Sequence, residues 1–224
     1  MDWGAFNLSL QLALYTVLLL LPIAVLAARW MVTLPARRKA VIEALLTIPL
    51  ILPPTVMGFF LLVSMNDAQL VGRIWRSLFD ESLVFSFEGL LLASIIVNIP
   101  FAIQPALRAF EGIGRDTREA AATCGMSHWR AFRRIEFPLA WPGILTGGVL
   151  TFAHTLGEFG VVLMVGGNIP GETRTISIAI YDQVQSFDNS SAALMAGVLL
   201  AISVLAISIT FILTRKPLVR IRSW

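Results

Sequence analysis

Two titratable side chains four residues apart, His154 and Glu158, stand within a long apolar stretch of this 224-residue sequence. On a continuous helix, residues four apart share one face, where an imidazole and a carboxylate can hydrogen-bond. The pair is interpreted first as a hydrogen-bonded contact facing other helices, and second as the lining of a pathway or gate. A metal or protease site has the weakest support, because HExxH and further ligands are missing. The sequence therefore predicts no catalytic residue and no metal site.

A second group of residues suits protein docking. Asp116 and Glu119 have the spacing of a capping box, and the alanines that follow favour a helix. Gly125 suits the left-handed residue that ends such a helix, and Ser127 can cap a second helix over about 128–135, ahead of the next proline. This segment is predicted to be helix, glycine turn, helix. It is expected either to lie on lipid headgroups or to receive another protein.

The composition shows which kind of protein must position these residues. Hydrophobic residues make up 57% of the chain and charged residues 14%, whereas soluble proteins average roughly 45–50% and about 25%. The chain is therefore predicted to be an integral membrane protein. The single cysteine, Cys124, excludes a disulfide scaffold. No GxxxxGK[ST] run is present, so the sequence carries no such nucleotide-binding motif of its own.

Five stretches approach the roughly 20 apolar residues that a membrane-spanning helix needs. The fold is predicted to be an all-α polytopic bundle forming one transmembrane domain, 1–224, with a cytoplasmic loop at 108–137. Prolines interrupt the second and third stretches, and indicate either packing kinks or a bent wall around a path. The spans are expected at about 8–28, 41–63, 87–107, 139–165 and 192–213.

The basic residues predict the orientation. Fourteen of them fall on one side of the expected membrane and three, Arg73, Arg76 and Arg174, on the other. By the positive-inside rule the N-terminus is expected outside and the C-terminus inside. The positive charges follow the first apolar stretch, so we expect a retained helix there. The basic charge is therefore attributed to topology and anionic lipid, and no nucleic-acid partner is expected.

Polar and small residues inside the spans suggest a path and a contact. Asn98 and Thr151 join His154 and Glu158 as candidate pathway or gate residues, because the interior polar residues are mostly neutral. Such a path binds a dianion weakly, so selectivity is expected to be set elsewhere. Glycines of the fourth span form a small-residue face that suits contact with a second copy or packing within one protomer. They are Gly143, Gly147 and Gly148.

The spacing of the loop resembles a known family. An EAA triplet is followed by a glycine, an isoleucine and an apolar residue before proline, a pattern similar to the EAA coupling loop of ABC importer permeases. Phe stands here where the family has Leu. The resemblance implies that this loop sits in a groove of the ATP-binding subunit and transmits its closure to the membrane path. The residues concerned are Glu119, Ala120, Ala121, Gly125, Ile135, Phe137 and Pro138.

Three later segments are similar to the molybdate and sulfate branch of that family, and look most like molybdate permeases. They are GEFG at 157–160, GGNIPGET at 166–173 and TISIAIYD at 175–182. The resemblance implies a type I importer fold, with inward passage of molybdate, or of tungstate, through a bacterial inner membrane.

The same resemblance implies the partners: a second permease copy, two ATP-binding cassette subunits that hold ATP and Mg²⁺, and an external molybdate-binding protein. No cofactor is expected in this chain. A sulfate or other oxyanion permease is the alternative within the family. An ion-coupled secondary transporter and an intramembrane hydrolase are the alternatives outside it.

Overall fold

Residues 1–214, which the computed structural model describes, form helices joined by short turns, as expected for an all-α chain. The fourteen basic residues expected on the inner side of the membrane include four that lie outside the described residues: Arg215, Lys216, Arg220 and Arg222. A π-helical turn, Phe132–Glu136, joins the short helix His128–Ala131 directly to the long helix Phe137–Gly157. In chain order the helices are α1 (Trp3–Val32), α2 (Ala36–Ile51), α3 (Pro54–Met65), α4 (Leu70–Phe79), α5 (Phe87–Glu111), α6 (Arg115–Thr123), α7 (His128–Ala131), α8 (Phe137–Gly157), α9 (Gly160–Gly166), α10 (Ile176–Gln185) and α11 (Asn189–Thr214).

Four helical stretches of the described chain are each long and apolar enough to cross a membrane: Trp3–Val32, Phe87–Glu111, His128–Gly157 and Asn189–Thr210. The helices α2 and α3 reach that length only together, and they turn by 104° between Ile51 and Pro54. The turn follows from Pro53 and Pro54, because a residue that precedes proline avoids helical backbone angles. These four stretches and the bent pair of α2 and α3 therefore correspond in approximate position to the five expected spans. The number that cross the membrane and their direction stay predictions.

The expected fourth span, 139–165, is not one helix. It ends at Gly157, since Glu158 has extended backbone with ψ 128°, and α9 starts a new helix at Gly160. The span also begins earlier than expected, because α7, the π-helical turn and α8 run on continuously. The prediction of a separate short helix ending before Pro138 is thus wrong. The π-helical turn shifts the hydrogen-bond register just ahead of Pro138, which has no N–H to donate.

Helices α1, α5 and α8 pack closely against one another and form the centre of the bundle. The contact between α5 and α8 depends on two glycines of the predicted small-residue face. A Cβ added at Gly143 would lie 2.4 Å from the Cβ of Ala109, and one at Gly147 would lie 2.7 Å from the carbonyl oxygen of Ala102. For these two glycines the structure therefore shows the alternative of packing within one protomer.

Replacing Gly147 by alanine tests this close contact. Because the new methyl group meets backbone atoms of α5, we expect Gly147→Ala to lower the free energy of unfolding by about 1–3 kcal/mol. The matched control is Gly197→Ala in α11, where an added Cβ meets no atom within 4 Å, and where better helix propensity raises stability by about 0.5–1 kcal/mol. Unfolding of the purified variants in detergent, followed by circular dichroism, measures both. Equal stability of the two variants would contradict the packing described here.

Candidate functional site

The helix α6 carries the first half of the predicted docking segment. Its Glu119 and Ala120 are exposed, while Ala121 turns inward and is 4% exposed. The predicted capping box is wrong, because α6 already starts at Arg115 and Asp116 therefore lies inside its first turn. Glu119 does not reach back to cap the helix: its carboxylate accepts a hydrogen bond of 2.6 Å from Nε of Arg115.

The predicted glycine turn is confirmed. Gly125 has φ +71°, a left-handed conformation that glycine adopts without strain. The N–H of Met126 donates to the carbonyl oxygen of Ala121 at 3.1 Å, and the N–H of Gly125 donates to that of Ala122 at 2.9 Å. This pair of bonds is a Schellman motif, which satisfies carbonyl groups at the end of α6. The turn therefore holds the chain that leaves α6 in a defined direction.

Beyond the turn, Ser127 caps α7 as predicted, with its hydroxyl oxygen accepting from the N–H of Arg130 at 3.4 Å. Ile135 is half-buried and Pro138 exposed. The aromatic side chains of this segment differ in exposure. Trp129 is 61% exposed, whereas Phe132 is 5% exposed and packs into the core.

A cleft of about 540 Å³ separates α6 and the π-helical turn from the end of α1. At this cleft the guanidinium group of Arg29 lies 2.7 Å from the carboxylate of Glu136, and that of Arg118 lies 3.5 Å from it. Arg29 also covers the ring of Phe132, at 4.7 Å from the ring centre. Sequence reasoning missed Glu136, because neither periodicity nor the motif spacing marks this position.

The side chains of His154 and Glu158 lie close together but do not form the predicted hydrogen bond. Nε2 of His154 lies 3.7 Å from the carboxylate, beyond hydrogen-bonding distance, because the helix ends between the two residues. The carboxylate of Glu158 instead accepts from the N–H of Val161 at 2.9 Å and so caps α9. The imidazole stacks on Phe101 with 4.1 Å between ring centres. The predicted hydrogen bond within one helical face is therefore wrong.

These two side chains line a small cavity of about 130 Å³ that sequence reasoning did not find. One wall is the bend between α2 and α3, with Pro49 and Pro54, and the opposite wall is the break between α8 and α9. Two helix breaks thus meet at one point. In a membrane, such breaks leave backbone groups that protein or water must satisfy. The prolines signalled the first break. The second lies between Gly157 and Gly160, a signal that sequence reasoning used only for the family resemblance.

Asn98 and Thr151 lie in a buried polar cluster between α1, α5 and α8. The side-chain amide of Asn98 donates to the hydroxyl oxygen of Thr155 at 3.1 Å, and that hydroxyl donates to the carbonyl oxygen of Thr151 at 2.8 Å. Thr16 of α1 joins by donating to Ser94 at 2.9 Å. Asn98 and Thr151 are each 1% exposed. Through this cluster Asn98 joins α5 to α8, whereas its Oδ1 and the Thr151 hydroxyl are buried without a hydrogen-bond partner among the described residues. A pathway role for these two residues stays a prediction.

Residues 20–218 match the family described as binding-protein-dependent transport system inner membrane component. The chain belongs to this family. Its fold is similar to that of the bacterial alginate ABC transporter, solved in complex with an alginate pentasaccharide-bound periplasmic protein. The TM-score is 0.73 at 18% identity, with 96% of this chain and 80% of that chain covered. The likeness shows the ABC importer permease fold.

Two curated relatives of this permease family differ in how well they match. The molybdenum transport system permease protein ModB of Azotobacter vinelandii is 42% identical, over 92% of this chain and 91% of the relative. The sulfate transport system permease protein CysT of Escherichia coli is 32% identical, over 75% of this chain and 60% of the relative. The chain is thus a transport component, and it matches the molybdenum permease more strongly and over more of its length.

A substitution in the polar cluster tests the structural role of Asn98. Thr155→Val keeps the shape of the side chain but removes the hydroxyl that Asn98 contacts, so we expect the free energy of unfolding to fall by about 1–2 kcal/mol. Thr146→Val is the matched control, because the hydroxyl of Thr146 bonds only to the carbonyl oxygen of Pro142 in its own helix. Thermal unfolding in detergent measures both variants. If Thr155→Val instead reduces transport and leaves stability unchanged, the cluster belongs to the pathway.

Proposed function

We propose that this chain is the membrane-spanning permease subunit of an ABC importer that passes molybdate inward. The observation that carries the proposal is the 42% identity to a molybdenum permease over nearly the full length of both chains. Tungstate is a second cargo of the same chemistry. Sulfate is the alternative, and the weaker, shorter match to a sulfate permease ranks it behind molybdate.

In this proposal α6 is the element on which the ATP-binding subunit docks. Three features support it: Glu119, Ala120 and Gly125 are exposed, small side chains permit close approach of another chain, and the Schellman motif holds the helix end. Ile135 and Pro138 of the motif then belong to the start of the long helix that leads into the membrane. ATP and Mg²⁺ are bound by the partner, and this chain contributes no catalytic group.

The proposed assembly has two copies of this chain, two ATP-binding subunits and an external molybdate-binding protein in a bacterial inner membrane. The helices support membrane embedding, since α1 exposes large apolar side chains such as Leu18 and Ile23, each 58% exposed. Such side chains face lipid or another subunit. The N-terminus is placed outside by the excess of arginine and lysine on the opposite side. The cavity beside His154 and Glu158 is the proposed gate region.

Uptake of labelled molybdate tests the cargo. Cells that lack this chain should take up little molybdate from a low external concentration, and cells with the chain restored should recover uptake. Excess tungstate should compete because it is the chemical analogue, while excess sulfate should not. Uptake abolished by sulfate would assign the chain to sulfate instead. Uptake that survives depletion of ATP would indicate an ion-coupled secondary transporter.

Two substitutions in α6 and its turn test the docking site. Gly125→Val forces a branched side chain into a left-handed conformation, at a cost of about 1–2 kcal/mol, and Ala120→Asp adds charge to the exposed face. We expect both variants to insert normally and to lose molybdate uptake. The control is Gly114→Val, because Gly114 has φ −54° and an added Cβ meets no atom within 4 Å. Normal uptake by the first two variants would contradict docking at α6.

A further inference from the structure

The side-chain polar contacts between α6 and the other described helices come from one residue. Within residues 1–214, the side-chain hydrogen bonds and ion pairs that α6 makes with other helices all come from Arg118. Its guanidinium donates to the carbonyl oxygen of Phe110, near the end of α5, at 2.7 Å, and its Nε lies 3.5 Å from Glu136. Besides the chain on either side of α6 and the buried side chain of Ala121, Arg118 is therefore a route by which a force on the exposed face of α6 reaches the bundle.

Glu136 connects Arg118 to two further helices, α8 and α1. It is the last residue of the π-helical turn, so its backbone is continuous with α8. One carboxylate oxygen faces Arg118, and the other accepts a hydrogen bond of 2.7 Å from Nε of Arg29 in α1. The Glu136 side chain is only 11% exposed. Ion contacts with this little exposure are screened less by salt and water than surface pairs.

The helix α8 is suited to carry a displacement from this point. It is a continuous helix of 21 residues, so it spans about 30 Å at 1.5 Å per residue. Glu136 precedes its first residue, and the break at Glu158 beside the small cavity follows its last. A shift of the Glu136 end is thus transmitted along a rigid element to the place where two broken helices meet.

We propose that Glu136 is a positioning residue that transmits movement of α6 to α8 and α1 during transport. The inference rests on the proposed function, because it takes α6 to be the docking element of the ATP-binding subunit. Glu136 touches neither cargo nor nucleotide. It acts by holding Arg118 and Arg29 in a fixed relation to the start of α8.

A second carboxylate provides a matched control. Glu111 also bridges two basic side chains, Lys39 at 2.5 Å and Arg108 at 2.6 Å. Its bridge ties α2 to α5 and does not include α6. Loss of either carboxylate removes one charge and two ion contacts, so a general effect on stability should appear in both variants. An effect on transmission should appear only at Glu136.

The experiment uses the complete complex, with its ATP-binding subunits, in liposomes and with molybdate-loaded binding protein. It measures molybdate accumulated per phosphate released from ATP. We expect Glu136→Gln to assemble and to hydrolyse ATP, with transport per ATP about tenfold lower, the loss expected for one charge-assisted contact. Glu111→Gln should keep the ratio of the unchanged complex. An unchanged ratio in Glu136→Gln, or an equal loss in both variants, overturns the proposal.

A double variant tests whether Glu136 acts through Arg118. Arg118→Gln alone should lower the ratio as Glu136→Gln does, and the two together should lower it no further, because both remove the same contact between α6 and Glu136. Losses that multiply to about a hundredfold would show independent effects and overturn the proposal. If Glu136→Gln does not assemble, Arg118→Gln on α6 decides the question by the same ratio. Failure of docking at α6 is distinguishable, since Ala120→Asp would then keep full uptake.

Discussion

Close approach of α5 and α8 is the constraint on which the rest of the bundle depends. Gly143 and Gly147 let the backbones come so near that an added methyl group meets α5 at either position. At that separation Asn98 of α5 reaches Thr155 of α8, and the cluster extends to α1 through Thr16. In a membrane no water is available to satisfy such groups, so the contact between helices must do it. Packing and the hydrogen bond between Asn98 and Thr155 are therefore two results of one close contact.

The helix α8 runs from the proposed docking element to the cavity beside His154 and Glu158. At one end the π-helical turn places Glu136 between Arg29 and Arg118, next to the proposed docking element. At the other end α8 stops at Gly157, and Glu158 caps the next helix beside the bend of α2 and α3. A helix held firmly along its middle by α5 moves as a unit. The fold thus places one helix between the proposed docking element and the broken helices.

The sequence-based predictions that failed share a physical cause. The break at Glu158, the π-helical turn before Pro138 and the early start of α6 at Arg115 all depend on how local backbone groups find hydrogen-bond partners. Apolar length and motif spacing do not report those partners. The glycine turn at Gly125 was predictable, because positive φ has a strong residue preference that acts locally. The same locality made the Ser127 cap predictable.

The sequence by itself determined the membrane class, the positions of the apolar helices and the family pattern around Glu119, because composition, apolar length and local turn chemistry are properties of the chain. Only the tertiary structure decided that Asn98 is buried in a cluster, that Gly147 packs against its own protomer, and that Glu136 bridges three helices. These contacts join residues up to 107 positions apart. They follow from the packing of helices against one another, which periodicity along a single helix does not encode.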